Sequence, residues 1–413
     1  MLLYDLYNYF SDLPRWHIFV IFFVGYFVYY LIEVVKRPIL AVDDGIFKHY
    51  LLNNVPTLQS KFWPTFWCVE SRAQTVFASL LRQQVLPKMS YRRELLSLKD
   101  GGQIALDWME NGCDDKSPVI LILPGLTGAS QSEYIKCLVN AGNSVGARVV
   151  VFNNRGLGGV ELKTPRLYSA ANLEDLSEVI DHVSKTCKNV KKACAGISMG
   201  GLVLGNYLAT HSEQARKVFT ACKIISVPWD VQKGTLSIEK PYLNSLLGKH
   251  LTSRLCRTLA KYEILNKSQQ GIDFDTIFKS KTIKEFDANF TTKHFGYKSV
   301  DHYYSVATLH NKLHKISVPL LCLSAADDPF QPLEAIPTRA AEESSHVAII
   351  VTARGGHIGF LDGVWPKTND EYMARLFGQY FGATLFDSAF DEISKKMLET
   401  YPRRSFYEHI ESN

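Results

Sequence analysis

The chain has 413 residues, of which 46% are hydrophobic and 21% are charged, a composition typical of a folded globular protein and not of a disordered one. Its formal net charge of +5 is too small to predict a dedicated nucleic-acid-binding protein. The 8 cysteines contain no C-x-x-C pair and several lie in apolar runs, so we interpret them as buried thiols and not as a disulfide framework.

The first predicted element is a membrane-spanning helix. Residues 16–35 read WHIFVIFFVGYFVYYLIEVV, which is the length of about 20 residues that a helix needs to cross the hydrocarbon core. The run begins too late for a cleaved signal peptide and is followed by KRP at 36–38. These basic residues favour a cytoplasmic catalytic domain, whereas N-x-S/T triplets at Asn266 and Asn289 favour a lumenal one, so the orientation stays open.

A connector follows the span and leads into a sheet. Residues 39–92 are rich in aromatics, and we predict a partly helical segment that lies along the membrane surface or packs on the main domain. RRELLSLKDGGQIALDWME at 92–110 predicts a β-hairpin that turns at Asp100-Gly101-Gly102. Alternation of buried strands with amphipathic segments then predicts a mainly parallel, eight-stranded sheet with helices on both faces. The six strand-like runs after the hairpin are 119–123, 148–152, 192–196, 219–227, 318–324 and 347–351.

One interval between strands is too long for a simple crossover. Roughly 90 residues separate the runs at 219–227 and 318–324, where a crossover needs about 12 to 30. We therefore predict a helical cap insertion at about 228–312, above the carboxyl ends of the strands. Its basic and aromatic residues fit a lipid-phosphate interface or an ordinary solvated helical face.

A serine between glycines is the candidate nucleophile. GISMGG at 196–201 lies between a strand-like run and a helix-like run, the context of a G-x-S-x-G nucleophile elbow. Such an elbow exposes Ser198 and points the N–H of Met199 at a developing oxyanion. A second donor is expected from LPGLTGAS at 123–130, where our candidate is the N–H of Leu126.

The partners of the serine are expected at the ends of the last two strands. DDPF at 327–330 supplies a carboxylate, for which Asp328 is our choice and Asp327 the alternative, and GGHIGF at 355–360 supplies His357. This chain order of serine, aspartate and histidine is that of α/β-hydrolases. The glycine-rich run at 152–159 lacks the G-x-G-x-x-G spacing, so we expect no dinucleotide, and no Cys/His cluster predicts a metal.

Taken together, the motifs resemble a known family. LPGLTGAS, FNNRGLGG, GISMGG, DDPF and GGHIGF, in this order behind one N-terminal span, are similar to the membrane-anchored α/β-hydrolase-domain family over about residues 95–385. That family includes a medium-chain phosphatidylcholine phospholipase, acylglycerol lipases and short-chain carboxylesterases. The resemblance implies an α/β-hydrolase fold, a triad of Ser198, Asp328 and His357, and neither a metal nor an organic cofactor.

The leading hypothesis is a single-pass membrane serine hydrolase of the endoplasmic reticulum or another endomembrane. Its partners are the bilayer and its substrates are lipid acyl esters, as in phospholipase A1-type cleavage of phosphatidylcholine or in acylglycerol hydrolysis. One alternative is an acyltransferase, since His357 and Asp362 fit H-x-x-x-x-D. Another is a non-catalytic lipid-binding module. We expect four regions: the anchor at 1–38, the connector at 39–92, the hydrolase domain at 93–385, and a helical tail at 386–413.

Overall fold

The computed structural model describes residues 14–261, 272–365 and 371–399. The triplet at Asn266 and the last part of the predicted tail lie outside these residues. Within the described residues one sheet has nine strands, in the spatial order β1-β9-β8-β7-β6-β4-β5-β3-β2. In chain order they are β1 (Ile39–Ala41), β2 (Arg92–Ser97), β3 (Gln103–Met109), β4 (Val119–Leu123), β5 (Arg148–Asn153), β6 (Lys192–Ile197), β7 (Ala221–Ile225), β8 (Leu320–Ala325) and β9 (Val347–Thr352).

Helices precede, cover and follow this sheet. In chain order they are α1 (Arg15–Tyr29), α2 (Ile46–Asn54), α3 (Ser71–Val85), α4 (Glu133–Ser144), α5 (Glu174–Thr186), α6 (Met199–Thr210), α7 (Ser212–Val218), α8 (Val231–Ile238), α9 (Leu243–Ala260), α10 (Phe274–Phe278), α11 (Ile283–Phe286), α12 (Thr292–Phe295), α13 (Val300–Ala307), α14 (Thr338–Glu342), α15 (Tyr372–Phe386) and α16 (Ala389–Glu399). Two π-helical turns, Tyr30–Val34 and Asp287–Thr291, continue α1 and α11, and 3-10 turns lie at Pro56–Leu58, Leu313–Lys315 and Leu333–Ala335.

The sheet is mixed, with a parallel centre. Strands β5, β4, β6, β7, β8 and β9 are parallel neighbours, whereas β2, β3 and β1 pair antiparallel at the two edges. The predicted hairpin is confirmed, with Ser97 opposite Gln103. The predicted number of eight strands is one too few. The additional strand is β1, which has three residues and pairs with β9 at the edge of the sheet. So short a segment carries no periodicity that a sequence pattern could reveal.

The central strands are apolar throughout because both faces of the sheet are covered. On β4, Val119, Leu121 and Leu123 pack into one core while Ile120 and Ile122 pack into the core on the other face. This alternation follows from the two-residue period of a strand. The 8 cysteines are all free and most are buried, as their apolar surroundings predict.

The N-terminal apolar run forms a long helix that the rest of the chain leaves exposed. Helix α1 and the π-helical turn after it contain the stretch Trp16–Val34, which is long and apolar enough to cross a membrane by length and composition. Most of its large side chains, such as Phe19 and Phe22, are exposed. Its carboxyl end contacts the loop before α3, where the Tyr30 hydroxyl donates to the Pro64 carbonyl at 2.6 Å.

Candidate active site

Ser198 lies at the turn between β6 and α6, at the carboxyl edge of the parallel strands. Its backbone has φ 52° and ψ −117°, a conformation that non-glycine residues rarely adopt and that marks functional turns. The flanking glycines make the turn possible. A Cβ on Gly200 would lie 2.3 Å from the Leu123 carbonyl oxygen, and one on Gly196 would lie 2.4 Å from the Gly200 carbonyl oxygen. The G-x-S-x-G spacing therefore has a packing reason in this fold.

The structure brings Ser198, His357 and Asp328 together. His357 Nε2 lies 2.9 Å from Ser198 Oγ, and His357 Nδ1 lies 2.9 Å from Asp328 Oδ2 and 3.1 Å from Oδ1. An ionised carboxylate only accepts hydrogen bonds, so Nδ1 carries the proton and the Nε2 lone pair of the neutral ring faces the hydroxyl. The side chains of His357 and Asp328 are 9% and 3% exposed, which keeps this contact away from bulk water.

Further contacts fix the carboxylate and the imidazole. Asp328 Oδ1 accepts a hydrogen bond from the Phe330 N–H at 2.8 Å. The Phe330 ring packs on the His357 ring with centroids 4.3 Å apart. Asp327, the alternative carboxylate, instead accepts from the Gly356 N–H at 3.0 Å, and burial raises its pKa to about 6. Of the two neighbouring aspartates, Asp328 therefore contacts the imidazole and Asp327 contacts the backbone of the His357 loop.

The two predicted oxyanion donors belong to residues of the cavity wall. Leu126 and Met199 both line the cavity onto which Ser198 opens. The Met199 N–H belongs to the first turn of α6, where backbone N–H groups lack helical partners and the helix dipole favours negative charge. The Gly125 N–H is already used, since it donates to Tyr134 Oη at 3.0 Å.

The cavity above Ser198 has a volume of about 810 Å³ and is lined mainly by apolar side chains. One wall is α3, which contributes Val76 and Leu80, and the opposite wall comes from helices between β7 and β8, including α9. A volume of this size is in the range of small-molecule sites. The apolar lining includes Leu202, Ile238, Leu251, Leu255, Phe286 and Phe290.

Two acidic residues outside the triad, Glu133 and Asp287, line this cavity, and Asp287 is the one with hydrogen-bond partners in the helical wall. Asp287 accepts hydrogen bonds from the Thr291 hydroxyl at 2.6 Å and from the Tyr304 hydroxyl at 3.0 Å. Burial raises the pKa of Asp287 to about 6, although these two hydrogen bonds act in the opposite direction. No motif marks this residue in the sequence.

Helix α3 supplies contacts to the His357 loop that the sequence analysis missed. The Thr75 hydroxyl accepts from the His357 N–H at 2.9 Å, and Gln74 Oε1 accepts from the Leu361 N–H at 3.2 Å. The buried Arg82 guanidinium donates to the carbonyls of Ile358 and Gly359. It also pairs with Glu371 at 2.7 Å.

A signal for these contacts is present in the spacing of α3. Gln74, Ala78, Leu81 and Arg82 are all buried and share one face of the helix. A glutamine and an arginine in such a stripe need polar partners, because burying an unpaired amide or charge is costly. The sequence can reveal that need, but not that the His357 loop meets it.

Asp362 of the H-x-x-x-x-D pattern has other partners. It accepts from the Arg375 guanidinium at 2.5 Å and from the Tyr372 N–H at 3.2 Å. In the part of the chain that the structure describes, no group of three or more His, Cys, Asp or Glu side chains is arranged to hold a metal ion.

The chain is similar to known proteins over most of its length. A family model described as the alpha/beta hydrolase fold matches residues 118–364. Phospholipase ABHD3 of Mus musculus is 40% identical over 368 residues, covering 88% of each chain. Protein abhd-3.2 of Caenorhabditis elegans is 35% identical over 317 residues, covering 76% of this chain and 83% of that protein. Monoacylglycerol lipase ABHD2 of Danio rerio is 26% identical over 353 residues, covering 79% of this chain and 82% of that protein.

Proposed function

Because this chain belongs to the alpha/beta hydrolase family, we propose that it is a membrane-anchored serine hydrolase that cleaves acyl ester bonds of lipids. The observation that carries the proposal is the chain of contacts from Asp328 through His357 to Ser198 at the base of an apolar cavity. The names of the relatives, phospholipase and monoacylglycerol lipase, support phospholipids and acylglycerols as the substrate class.

The reaction begins with an acyl transfer to the enzyme. His357 Nε2 takes the proton of Ser198 Oγ while that oxygen attacks the ester carbonyl carbon. The N–H groups of Met199 and Leu126 donate to the carbonyl oxygen as it becomes an oxyanion. The C–O bond to the alcohol then breaks, and His357 returns its proton to the leaving alcohol, which leaves an acyl ester on Ser198.

The second half returns the serine to its free state. Water enters the position left by the alcohol, gives a proton to His357 Nε2 and attacks the acyl carbon, and Ser198 Oγ leaves with that proton. The product is a free fatty acid. Asp328 keeps the imidazole in the tautomer whose Nε2 accepts, and it stabilises the imidazolium that forms in each half. No step draws on the Asp362 carboxylate, which is paired with Arg375.

The membrane anchor in this proposal is the stretch Trp16–Val34. We place the protein in the endoplasmic reticulum or another endomembrane, as a single-pass protein. The expected behaviour is retention in the membrane pellet after extraction with alkaline carbonate. Release into the supernatant would remove the anchor from the proposal and leave the hydrolase assignment untouched.

Covalent labelling and lipid hydrolysis test the enzymatic assignment. A fluorophosphonate probe is expected to label the full-length protein on Ser198, and Ser198→Ala is expected to abolish both labelling and fatty acid release from phosphatidylcholine or monoacylglycerol. Ser305→Ala is the matched control, because that serine is exposed on α13. Phosphatidylcholine with a distinct acyl chain at each position identifies A1-type cleavage.

Each other function has its own outcome. A non-catalytic lipid-binding module would leave wild type unlabelled by the probe. An acyltransferase would be labelled, but with added lysolipid it would yield acylated lysolipid in place of free fatty acid. Lipidomics of membranes with wild type or Ser198→Ala then names the substrate, since the uncleaved lipid accumulates in the variant.

A further inference from the structure

The segment after the membrane-spanning helix folds back on the end of that helix. The Tyr26 hydroxyl donates to the Phe66 carbonyl, and the Tyr30 hydroxyl donates to the Pro64 carbonyl at 2.6 Å. The Tyr30 and Trp63 rings lie 6.4 Å apart. The loop at 63–67 is therefore held beside the last turns of the helix.

A group of exposed aromatic side chains continues from this loop. We call Trp63, Phe66, Trp67, Phe77 and Trp365 the aromatic patch; each is between 40% and 57% exposed. Trp67 joins its parts, because its ring lies 6.1 Å from Phe77 and 6.2 Å from Trp365 and its indole N–H donates to the Val364 carbonyl at 2.8 Å. Three polypeptide segments thus present large aromatic side chains on one side of the protein.

This chemistry matches one environment well. Tryptophan combines a large apolar ring with an N–H donor, and it is enriched where the hydrocarbon meets the headgroups. Contiguous exposed apolar residues on a protein surface mark interaction sites. Since the aromatic patch begins at the end of the spanning helix, the surface it meets without any movement of the chain is the bilayer around that helix.

The patch leads directly to the opening of the cavity. Phe77 lies on α3 between Val76 and Leu80, which line the cavity of Ser198 and remain 41% and 48% exposed. The cavity therefore opens along this face of α3. Near its amino end, α3 is tied to α9 by a hydrogen bond of 2.7 Å from Arg72 Nε to Asn244 Oδ1.

We propose that the aromatic patch docks on the headgroup layer of the bilayer that holds the protein's own anchor, with the cavity opening against that surface. A lipid acyl chain then passes from the bilayer over Val76 and Leu80 to Ser198 without crossing water. The inference rests on the proposed function, since it takes the anchor and the lipid substrate as given. It adds which face meets the membrane and how the substrate enters.

The test compares bilayer and soluble substrates on one preparation. Full-length protein is reconstituted into phosphatidylcholine vesicles, and Phe77→Gln/Trp365→Gln is compared with wild type on vesicle lipid and on a water-soluble p-nitrophenyl ester. We expect hydrolysis of vesicle lipid to fall by about tenfold, because the variant buries less apolar side-chain area in the bilayer surface. Hydrolysis of the soluble ester should stay within about twofold of the wild-type rate. Phe386→Gln is the matched control, because Phe386 is similarly exposed but lies against Gly146, at the amino ends of the parallel strands.

Fluorescence tests docking without reference to catalysis. Phosphatidylcholine with brominated acyl chains is expected to quench wild-type tryptophan emission, and Trp365→Phe is expected to reduce the quenched fraction. If wild type hydrolyses neither substrate while Trp365→Phe still lowers the quenched fraction, the proposed function fails and docking stands. Wild-type rates of vesicle hydrolysis in the double variant would overturn the docking proposal, as would equal losses on both substrates. A lower oligomeric mass of the variant in detergent, with vesicle hydrolysis unchanged, would assign the patch to contacts between copies.

Discussion

The two sides of the active-site cavity are built in different ways. Ser198, Asp328 and His357 follow β6, β8 and β9, so the carboxyl ends of strands in the parallel part of one sheet bring them together, with β7 between β6 and β8. The facing walls are α3 and the helices between β7 and β8, which come from segments without a catalytic motif. The difference teaches that the chemistry is specified at strand ends, whereas access and the position of the His357 loop depend on side chains from distant helices.

The largest expected effect lies on the strand-end side. In Asp328→Asn the Phe330 N–H still holds the side-chain oxygen, so the amide N–H₂ faces His357 Nδ1 and favours the tautomer whose Nε2 carries the proton. We therefore expect kcat on a soluble ester to fall by about 10³- to 10⁴-fold. Asp327→Asn is the matched control, because its amide oxygen can still accept from the Gly356 N–H. Its kcat should stay within about tenfold of wild type. Equal losses in the two variants would mean that the separation of roles between these carboxylates is wrong.

The second prediction tests whether α3 is as necessary for catalysis as the strand ends. Arg82→Met leaves the Glu371 carboxylate buried without its partner, which should lower the free energy of unfolding by about 3–5 kcal/mol. The same change takes the donor from the Ile358 and Gly359 carbonyls, so kcat should fall as well. Thermal unfolding and soluble-ester kinetics measure the two effects.

A double variant separates positioning from stability. Arg82→Met/Glu371→Met has no unpaired buried charge, so it should recover much of the unfolding free energy while kcat stays low, since the two carbonyls still lack a donor. Gln84→Ala, on an exposed position of α3, is the control and should match wild type. Recovery of kcat together with stability would reduce Arg82 to a purely structural role.

A smaller effect is expected from the carboxyl group in the helical wall. The folded state holds the Asp287 proton up to a pKa of about 6, against 3.8 ordinarily. Between these values the folded protein binds more protons than the unfolded chain, so stability falls as pH rises through this window, by roughly 3 kcal/mol at most. The Tm of Asp287→Asn minus that of wild type should therefore be larger at pH 7 than at pH 4.

Comparing two pH values controls for the hydrogen bonds that Asp287→Asn changes. Asn at position 287 keeps one acceptor for Thr291 or Tyr304, so any pH-independent cost cancels when the two pH values are compared. Asp275→Asn, at an exposed position in α10, should show no such change with pH. If the Tm difference between Asp287→Asn and wild type is the same at pH 4 and pH 7, Asp287 is not the source of the predicted pH dependence of stability.

The same difference between the two sides explains what the sequence could predict. Ser198, Asp328 and His357 could be placed because their loops carry glycines or aspartates at fixed positions after continuous apolar strands, and strand ends in a parallel sheet meet at one edge. Strand β1 was not predicted, because a segment of three residues is too short to show a periodic pattern of apolar residues. The roles of Thr75 and Arg82 were not predicted, because their hydrogen-bond partners are backbone groups more than 270 positions away in the chain. A local pattern shows that a polar side chain is buried but not what it meets.

The smallest expected effect tests a single hydrogen bond between the two sides. Thr75→Val keeps the shape of the side chain but removes the acceptor of the His357 N–H, and one such bond contributes about 1 kcal/mol, or roughly fivefold in kcat. Thr75→Ser keeps the hydroxyl and should restore kcat, which a role in packing alone would not predict because serine loses the methyl group. Since the bond positions the imidazole and not the substrate, KM on a soluble ester should stay unchanged in both variants. If Thr75→Val raises KM and leaves kcat unchanged, α3 shapes the cavity without positioning His357, and the helical wall serves access alone.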